Sequence, residues 1–508
     1  MPRYSRRDFL KIIAATPAAY TLSRLLPESV LHQAASASAK PNVIVLLFDA
    51  MSAANLSLYG YHRKTAPNFE RFAQRANVYH AHYSTANFTV PGTSSLLTGL
   101  QPWTHRAINL SGLVARDLEK RNIFESLGPS YHRLGFGQNV MAANLLNQFR
   151  AGIDEWLEPS AFSELSMLPS ELFERDPNAA YQSLDHFLFD YVDAPGSLIF
   201  GLSQRAVFER LKRFNRNFPR GLPQPHEYPI VYKLQNVFDG LMDTLDRLSE
   251  PYFSYLHIFS PHAPYNARKD FIGIFNDGWT HIEKPAGAFS EGETYQAIEQ
   301  NRIWYDEYIA NVDAEFGRFL DHLEKTGTLD NTYLIVTSDH GELLERGVKG
   351  HVTPLLYEPL VRIPLLISSP GQTEGKAIHA LTSSIDLLPT LLSVTGHDVP
   401  DWAEGQVLPG LGGEETPERP VYMLEAKSSS AFGRLSMATI SMRKDKYKIT
   451  LYRGYEVFGN RDSFELYDLQ NDPEEVDNLF EKQPAVAAEL RAEILKKFDE
   501  VDHALPAG

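Results

Sequence analysis

Two largely apolar runs, Val43–Phe48 and Thr332–Thr337, stand out in the hydrophobic pattern of the chain. Unbroken runs of this length are typical of strands that are buried on both faces, as in a parallel sheet. Polar residues follow each run: Asp49 comes after the first, and Ser338-Asp339-His340-Gly341-Glu342 comes after the second. The pattern predicts an α/β fold with these side chains at carboxyl ends of strands, where open α/β sheets bind their ligands.

The pattern changes near residue 420. Short alternating segments around Tyr422, Ala438, Lys446 and Phe464 predict strands, and Val486–Phe498 has the spacing of an amphipathic helix. We therefore predict a catalytic domain over residues 40–419 and a small C-terminal α+β subdomain over residues 420–508. Residues 152–250 are rich in Phe, Leu and Pro, and we expect them to form a helical lid that sets substrate preference.

The N-terminal residues 1–39 have the features of a twin-arginine export signal. Arg6 and Arg7 are adjacent, an interrupted apolar stretch follows, and Ala37-Ser38-Ala39 offers a small-residue cleavage site. The interruptions argue against a stable membrane span. The sequence predicts a mature chain from near Lys40 that the twin-arginine machinery exports to the periplasm or the cell exterior. A cytosolic amphipathic helix is the alternative.

Composition restricts the function further. The chain has 508 residues, of which 43% are hydrophobic, which is enough to bury a large core. A net charge of −16 argues against nucleic acid as a partner, although it does not exclude a small anionic substrate. The chain contains no cysteine, which excludes disulfides, thiolate metal sites and a cysteine nucleophile.

The segment Asn87–Gly99, N-F-T-V-P-G-T-S-S-L-L-T-G, places a hydroxyl near a helix start. Proline is favourable in the first turn of a helix and glycine just after its end, so the segment predicts a short helix from Pro91 to Gly99. Thr89 then lies just ahead of the free N–H groups and of the positive end of the helix dipole, a favourable place for phosphate or sulfate. An ordinary capped helix is the alternative.

Asp49, Asp339 and His340 are candidate metal ligands. Carboxylate oxygen and imidazole nitrogen suit Zn, Mn or Mg better than they suit soft metals. Each residue also has a simpler interpretation, because an Asp after a strand often caps a helix and an Asp-His-Gly sequence is often a turn.

These segments together resemble the sulfatase family of the alkaline phosphatase superfamily. The resemblance extends from about Asn42 to about Leu479. It is carried by the residues above and by seven further segments: Leu56–Gly60, Ser260–Tyr265, Tyr305–Asp313, Tyr357–Leu365, Asp386–Thr390, Leu466–Leu469 and Asn471–Pro473. It implies a large mixed, mostly parallel sheet with helices on both faces, ester chemistry, and one divalent metal ion (Mn, Zn, Ca or Mg) at Asp49, Asp339, His340 and Thr89.

The chain departs from the family at four positions. Sulfatases use a formylglycine made from cysteine or serine, and Thr89 cannot form that aldehyde. Thr93 and Gln138 stand where the family has arginine and lysine, and Ala50 replaces the second acid of the opening pair. The remaining set resembles the metal-and-threonine sites of the phosphodiesterases and phosphoalcohol transferases of the superfamily.

The resemblance implies that Thr89 is the nucleophile and that His262 contacts the leaving group. His351, Lys349 and His105 are further candidates for substrate contacts, with an exposed loop as the alternative for the first two. We predict an exported hydrolase or transferase of phosphate esters or diesters, acting on a small-molecule, lipid or glycan ester. Two alternatives stay open: hydrolysis of sulfate esters without formylglycine, and a non-catalytic binding protein with a degenerate site.

Overall fold

The computed structural model describes residues 40–166, 209, 211–225 and 230–503. The predicted export signal and much of the predicted lid lie outside these residues. Both therefore stay predictions.

The strands of the described part are numbered here in chain order. They are β1 (Asn42–Phe48), β2 (Asn77–Tyr79), β3 (His82–Tyr83), β4 (His132–Gly137), β5 (Glu155–Leu157), β6 (Ser163–Ser166), β7 (Ile230–Tyr232), β8 (Tyr252–Ile258), β9 (Thr332–Thr337), β10 (Leu343–Glu345), β11 (Val348–Gly350), β12 (Leu365–Ser368), β13 (Lys376–Ile378), β14 (Thr382–Ser383), β15 (Val421–Glu425), β16 (Ala438–Lys444), β17 (Tyr447–Arg453) and β18 (Ser463–Asp468).

The helices are α1 (Pro67–Ala73), α2 (Thr89–Thr98), α3 (Pro102–His105), α4 (Ile123–Leu127), α5 (Val140–Gln148), α6 (Leu234–Leu245), α7 (Tyr295–Thr326), α8 (Glu358–Val361), α9 (Leu387–Val394) and α10 (Pro484–His503). Among the described residues, no helix combines the length and the apolar character needed to cross a membrane.

An eight-stranded sheet forms the centre of the large domain, with the spatial order β13-β2-β12-β9-β1-β8-β4-β5. Strands β9, β1, β8, β4 and β5 run parallel to one another, and β12 runs antiparallel to both of its neighbours. The predicted mixed, mostly parallel sheet is therefore confirmed. Both apolar runs of the sequence are central strands of this sheet. Helices cover a central strand on both faces, so its side chains can be apolar on both.

Helices cover both faces of the sheet. Side chains of a strand alternate between the two faces, so Ile44, Leu46 and Phe48 pack with α1, α6 and α7. Val43, Val45 and Leu47 pack on the other face with α2, α5 and α9. The core on either side holds the strand ends in fixed positions, which is what a site at those ends needs.

A second, antiparallel sheet of order β15-β16-β17-β18 begins at Val421. Helix α10 packs against one face of this sheet through Leu490, Ile494 and Phe498. The opposite face, with Val421, meets residues of the large domain. The predicted small sheet with its closing helix is confirmed, whereas the division of the chain at residue 420 stays a prediction.

Candidate active site

Four adjacent parallel strands, β9, β1, β8 and β4, present polar side chains at their carboxyl ends. Asp339 follows β9, Asp49 follows β1, and Asn139 follows β4. His257 is the penultimate residue of β8, in register with Leu47 and Gly137. Sequence analysis identified the two aspartates but missed His257 and Asn139 as site residues. The signal was available only for Asn139, which lies beside Gln138 in the segment compared with the family.

The two aspartates and two histidines form a buried cluster. The Nε2 atom of His257 lies 3.2 Å from Asp49 Oδ2 and 3.8 Å from Asp339 Oδ2. The Nε2 atom of His340 lies 3.5 Å from Asp49 Oδ1 and 3.6 Å from Asp339 Oδ2. All four side chains are fully buried. Asp49, His257 and Asp339 can point ligand atoms at a common centre, and His340 borders the same space.

The cluster fits a divalent cation. Asp49 Oδ1 and Asp339 Oδ2 are buried and lack a hydrogen-bond donor among the described residues, so a cation would satisfy both. The other ring nitrogen of His340, Nδ1, donates to the carbonyl oxygen of Gly341 at 2.8 Å. This hydrogen bond directs Nε2 at the cluster, as is usual for metal-binding histidines. Oxygen and nitrogen donors of this kind suit Zn²⁺ or Mn²⁺.

The charged groups of the cluster shift one another's pKa values. Burial raises the pKa of Asp339, and the neighbouring Asp49 carboxylate raises it further. For Asp49, burial is outweighed by His262, His257 and His340, and its pKa lies well below the usual range. The two carboxylates likewise outweigh burial at His340 and raise its pKa to about 9. The pocket therefore favours positive charge between the aspartates.

Thr89 lies beside this cluster, on the first residue of α2. Its Oγ1 is 3.3 Å from Nε2 of His340. The predicted helix start at Pro91 is thus two residues late: proline is tolerated in the first turn because that turn needs no intrahelical N–H donor. The helix ends as predicted, with Gly99 at a left-handed φ of 66°.

Gly92 lets this helix approach the end of β9 that carries Asp339. A Cβ atom at this position would lie 2.4 Å from the carbonyl oxygen of Asp339. The Ser84 hydroxyl also donates to that carbonyl oxygen. These contacts hold Thr89 and Asp339 in a fixed relation.

Asn139 connects Thr89 with the cluster. Its Nδ2 donates to Asp49 Oδ2 at 2.5 Å and to Thr89 Oγ1 at 3.3 Å. The amide cannot turn freely, because its Oδ1 accepts from the backbone N–H of Met141 and caps helix α5. The cap therefore orients the Nδ2 donor towards Thr89.

We expect Asn139→Ala to lower kcat by about 10- to 100-fold, because Thr89 and Asp49 lose the donor that positions them. The helix cap is lost as well, at about 1 kcal/mol of stability. Asn122→Ala is the matched control, since Asn122 caps α4 in the same manner through Glu125 N–H and lies outside the site. Steady-state kinetics and thermal unfolding of both variants separate the two effects. Equal losses of kcat in both variants would contradict the positioning role.

A cavity of about 440 Å³ lies next to the polar cluster, with Thr89 and Asn139 between the two. Thr89, Asn139, His262 and His351 line it, as does the exposed Lys349. The ring centroids of His262 and His351 are 4.8 Å apart. The structure thus brings four of the predicted substrate and catalytic residues to one space.

His262 and His351 differ in their surroundings. Burial lowers the pKa of His262 to about 4, and its Nδ1 donates to the carbonyl oxygen of Ala263 at 2.6 Å. His351 Nδ1 lies 3.3 Å from a carboxylate oxygen of the buried Glu342. In Glu342, burial is outweighed by His351, and the pKa lies below its usual value. Glu342 therefore fixes the ring of His351 through a charge-assisted hydrogen bond.

His105 does not face the cavity, and the expectation that it contacts substrate is wrong. Its ring is fully buried, Nε2 is 3.0 Å from the Ser95 hydroxyl, and Nδ1 accepts from Ala107 N–H. Both nitrogens are occupied in holding α2 against the loop after α3. Gln138, at the family's lysine position, is likewise buried, and its side-chain oxygen accepts from the backbone N–H of Phe259.

Most of the chain matches a known enzyme family. The family model described as "Sulfatase" matches residues 41–397, and the model "N-sulphoglucosamine sulphohydrolase, C-terminal" matches residues 352–503. The chain belongs to the sulfatase family. It is therefore an ester hydrolase by family, and enzymes of this family use a divalent metal ion.

Relatives with different names share this family. A choline-sulfatase of Rhizobium meliloti is 23% identical over 87% of this chain and 83% of its own length. The "multifunctional alkaline phosphatase superfamily protein PehA" of Trinickia caryophylli is 24% identical over 84% and 87%. The phosphonate monoester hydrolase of Agrobacterium radiobacter has a similar fold, with a TM-score of 0.64, 19% identity and coverage of 91% and 96%.

Proposed function

We propose that this sulfatase-family enzyme hydrolyses phosphate esters, diesters in preference to monoesters, through a covalent bond to Thr89. The observation that supports the proposal is the position of the Thr89 hydroxyl. It lies at the first turn of a helix, within 3.3 Å of both His340 and Asn139, in the lining of the cavity. Free N–H groups of that turn would face the phosphoryl oxygens.

The reaction has two displacement steps. The Thr89 hydroxyl loses its proton and its Oγ1 forms a bond to phosphorus while the ester P–O bond breaks, and the leaving oxygen takes up a proton. Water then attacks phosphorus and loses a proton, and the Thr89 oxygen is released and regains one. His262 and His351 line the cavity where they can bind the leaving and the entering oxygen. An alcohol in place of water would give transfer instead of hydrolysis.

We assign the metal site to Asp49, His257, Asp339 and His340, with Thr89 as a further ligand. A divalent cation bound there would lower the pKa of the Thr89 hydroxyl and neutralise charge on the phosphoryl oxygens. Two imidazole donors favour Zn²⁺ or Mn²⁺ over Mg²⁺ or Ca²⁺.

The charge of the cavity supports a diester. Thr93 and Gln138 are neutral, and Lys349 is the only lysine or arginine among the described residues that line the cavity. A phosphate monoester carries up to two negative charges at the reacting group, whereas a diester carries one. Fewer cations suffice for the diester.

A sulfate monoester also carries a single negative charge, and one relative is named a choline-sulfatase. Sulfate-ester hydrolysis by an unmodified Thr89 is therefore the second candidate.

We also propose export by the twin-arginine route, which rests on the adjacent Arg6 and Arg7 and the cleavage-like Ala37–Ala39.

A substrate panel tests the proposal. Purified protein supplied with Mn²⁺ or Zn²⁺ is assayed on 4-nitrophenyl esters: a methyl phosphodiester, the phosphomonoester and the sulfate. We expect kcat/KM to be at least about tenfold higher for the diester than for the other two. Turnover of the sulfate alone would establish the second candidate. If no ester is turned over and no metal is retained, the protein is a binding protein.

A further inference from the structure

Many of the residues that line the cavity beside Thr89 are apolar. Phe88 and Val90 flank Thr89 at the start of α2, and Met141 comes from the start of α5. Phe259, Leu110 and Val352 are further apolar residues of the lining. The candidate nucleophile Thr89 thus shares one cavity with a set of apolar side chains.

Leu110 and Val352 are unusual because they are exposed. Their side chains are 45% and 44% accessible, although both belong to the walls of a cavity that contains the candidate nucleophile. Exposed apolar side chains that border a concave site typically mark a surface for an apolar ligand group. Single exposed residues elsewhere, such as Val399, do not border this cavity.

We infer that Leu110, Val352 and Met141 bind an alkyl or aryl arm of the ester substrate. The inference rests on the proposed function, since it places the ester group at Thr89 and its apolar arm against these walls. Thr89 and these three apolar residues line the same cavity, so one molecule can contact all of them. The substrate class is accordingly a monoanionic ester with an apolar substituent.

The balance of charge disfavours a polyanionic glycan. Among the described residues that line the cavity, the negative charge of the exposed Glu291 offsets the positive charge of the exposed Lys349, and Glu342 is acidic as well. A chain with several sulfate or phosphate groups would need more cations along its path. An uncharged hydrocarbon arm has no such requirement and gains affinity by burial.

The test measures binding without turnover. Dimethyl, diethyl and dibutyl phosphate are titrated calorimetrically into the Thr89→Ala variant in the presence of Mn²⁺. Each methylene that enters the cavity is expected to raise affinity about two- to fourfold, so dibutyl phosphate should bind at least about tenfold more tightly than dimethyl phosphate. Equal affinities of the three esters would overturn the inference.

A double variant locates the effect. In a Leu110→Ser, Val352→Ser background the gain from dimethyl to dibutyl phosphate is expected to shrink to about threefold or less. Val399→Ser is the matched control, because Val399 is 40% exposed and lies outside the cavity. An undiminished gain in the double variant would also overturn the inference, because the arm would then bind elsewhere.

The two proposals fail separately. A chain-length effect on binding without turnover of any phosphodiester by the wild-type protein rejects the proposed function and keeps the apolar site. Turnover of a phosphodiester with no effect of chain length on binding keeps the proposed function and rejects the apolar site. Sedimentation with phosphatidylglycerol vesicles distinguishes a lipid from a dissolved ester as the source of the arm. If the protein binds the vesicles and the double variant does not, the substrate is a lipid. If the protein binds dibutyl phosphate but not the vesicles, the substrate is a dissolved ester.

Discussion

Thr89→Ala is expected to lower kcat/KM by about 10⁴-fold or more on the best ester of the panel, since the residue that forms the covalent bond is removed. The fold should be retained, because Thr89 is the first residue of α2, a place where the backbone contributes few intrahelical hydrogen bonds. Thr89→Ser keeps a hydroxyl at the same place and should keep a measurable fraction of the activity. Mass spectrometry of acid-quenched wild-type protein should show a phosphoryl group on Thr89.

Thr98→Ala is the matched control for this loss. Thr98 is a buried threonine of the same helix, and its hydroxyl donates to the carbonyl oxygen of Ser94, away from the cavity. We expect this variant to keep its kcat within about threefold while losing up to about 1 kcal/mol of stability. Full activity in Thr89→Ala would assign the attack to water, and the covalent route would then be wrong.

The central sheet could be predicted because its strands have a strong local signal. Val43–Phe48 and Thr332–Thr337 are apolar at nearly every position, and such runs have few alternatives to a doubly covered strand. Asp49 and Asp339 follow these strands directly, so the same signal placed both at an active edge. The helix-start pattern singled out Thr89, and recognition of the family gave it the role of nucleophile and added His262. The proximity of these two residues depends on long-range contacts that no local pattern shows.

His257 could not be found in this way. It lies inside β8, in the run Y-F-S-Y-L-H-I, where a buried histidine is as compatible with packing as with metal binding. Its role becomes visible only when β8 is known to pair with β1, which places His257 beside Asp49. The prediction for His105 was wrong for a different reason. Its place soon after Trp103 suggested that it faces the cleft, whereas its ring is buried and forms hydrogen bonds with the Ser95 hydroxyl and the Ala107 N–H group.

Asp339→Asn is expected to abolish tight metal binding, because Asp339 supplies a fully buried carboxylate oxygen to the cluster. At a Mn²⁺ concentration of 100 times its Kd, the wild-type protein should gain about 2.7 kcal/mol in free energy of unfolding. A variant with 100-fold weaker affinity should gain only about 0.4 kcal/mol under the same conditions. Thermal unfolding with and without Mn²⁺ measures this difference, and kcat should fall by about 10³-fold.

Asp313→Asn serves as the control, since Asp313 is also a buried carboxylate but accepts hydrogen bonds from Asn68 and Phe69 N–H at the start of α1. Its metal-dependent gain should equal that of the wild type. Without metal, Asp339→Asn should unfold no more readily than the wild type, because it removes one of two adjacent buried negative charges. A loss of stability without metal, with the gain from Mn²⁺ intact, would make Asp339 structural. In that case Asp49, His257 and His340, with Thr89, would have to hold the cation without a second carboxylate.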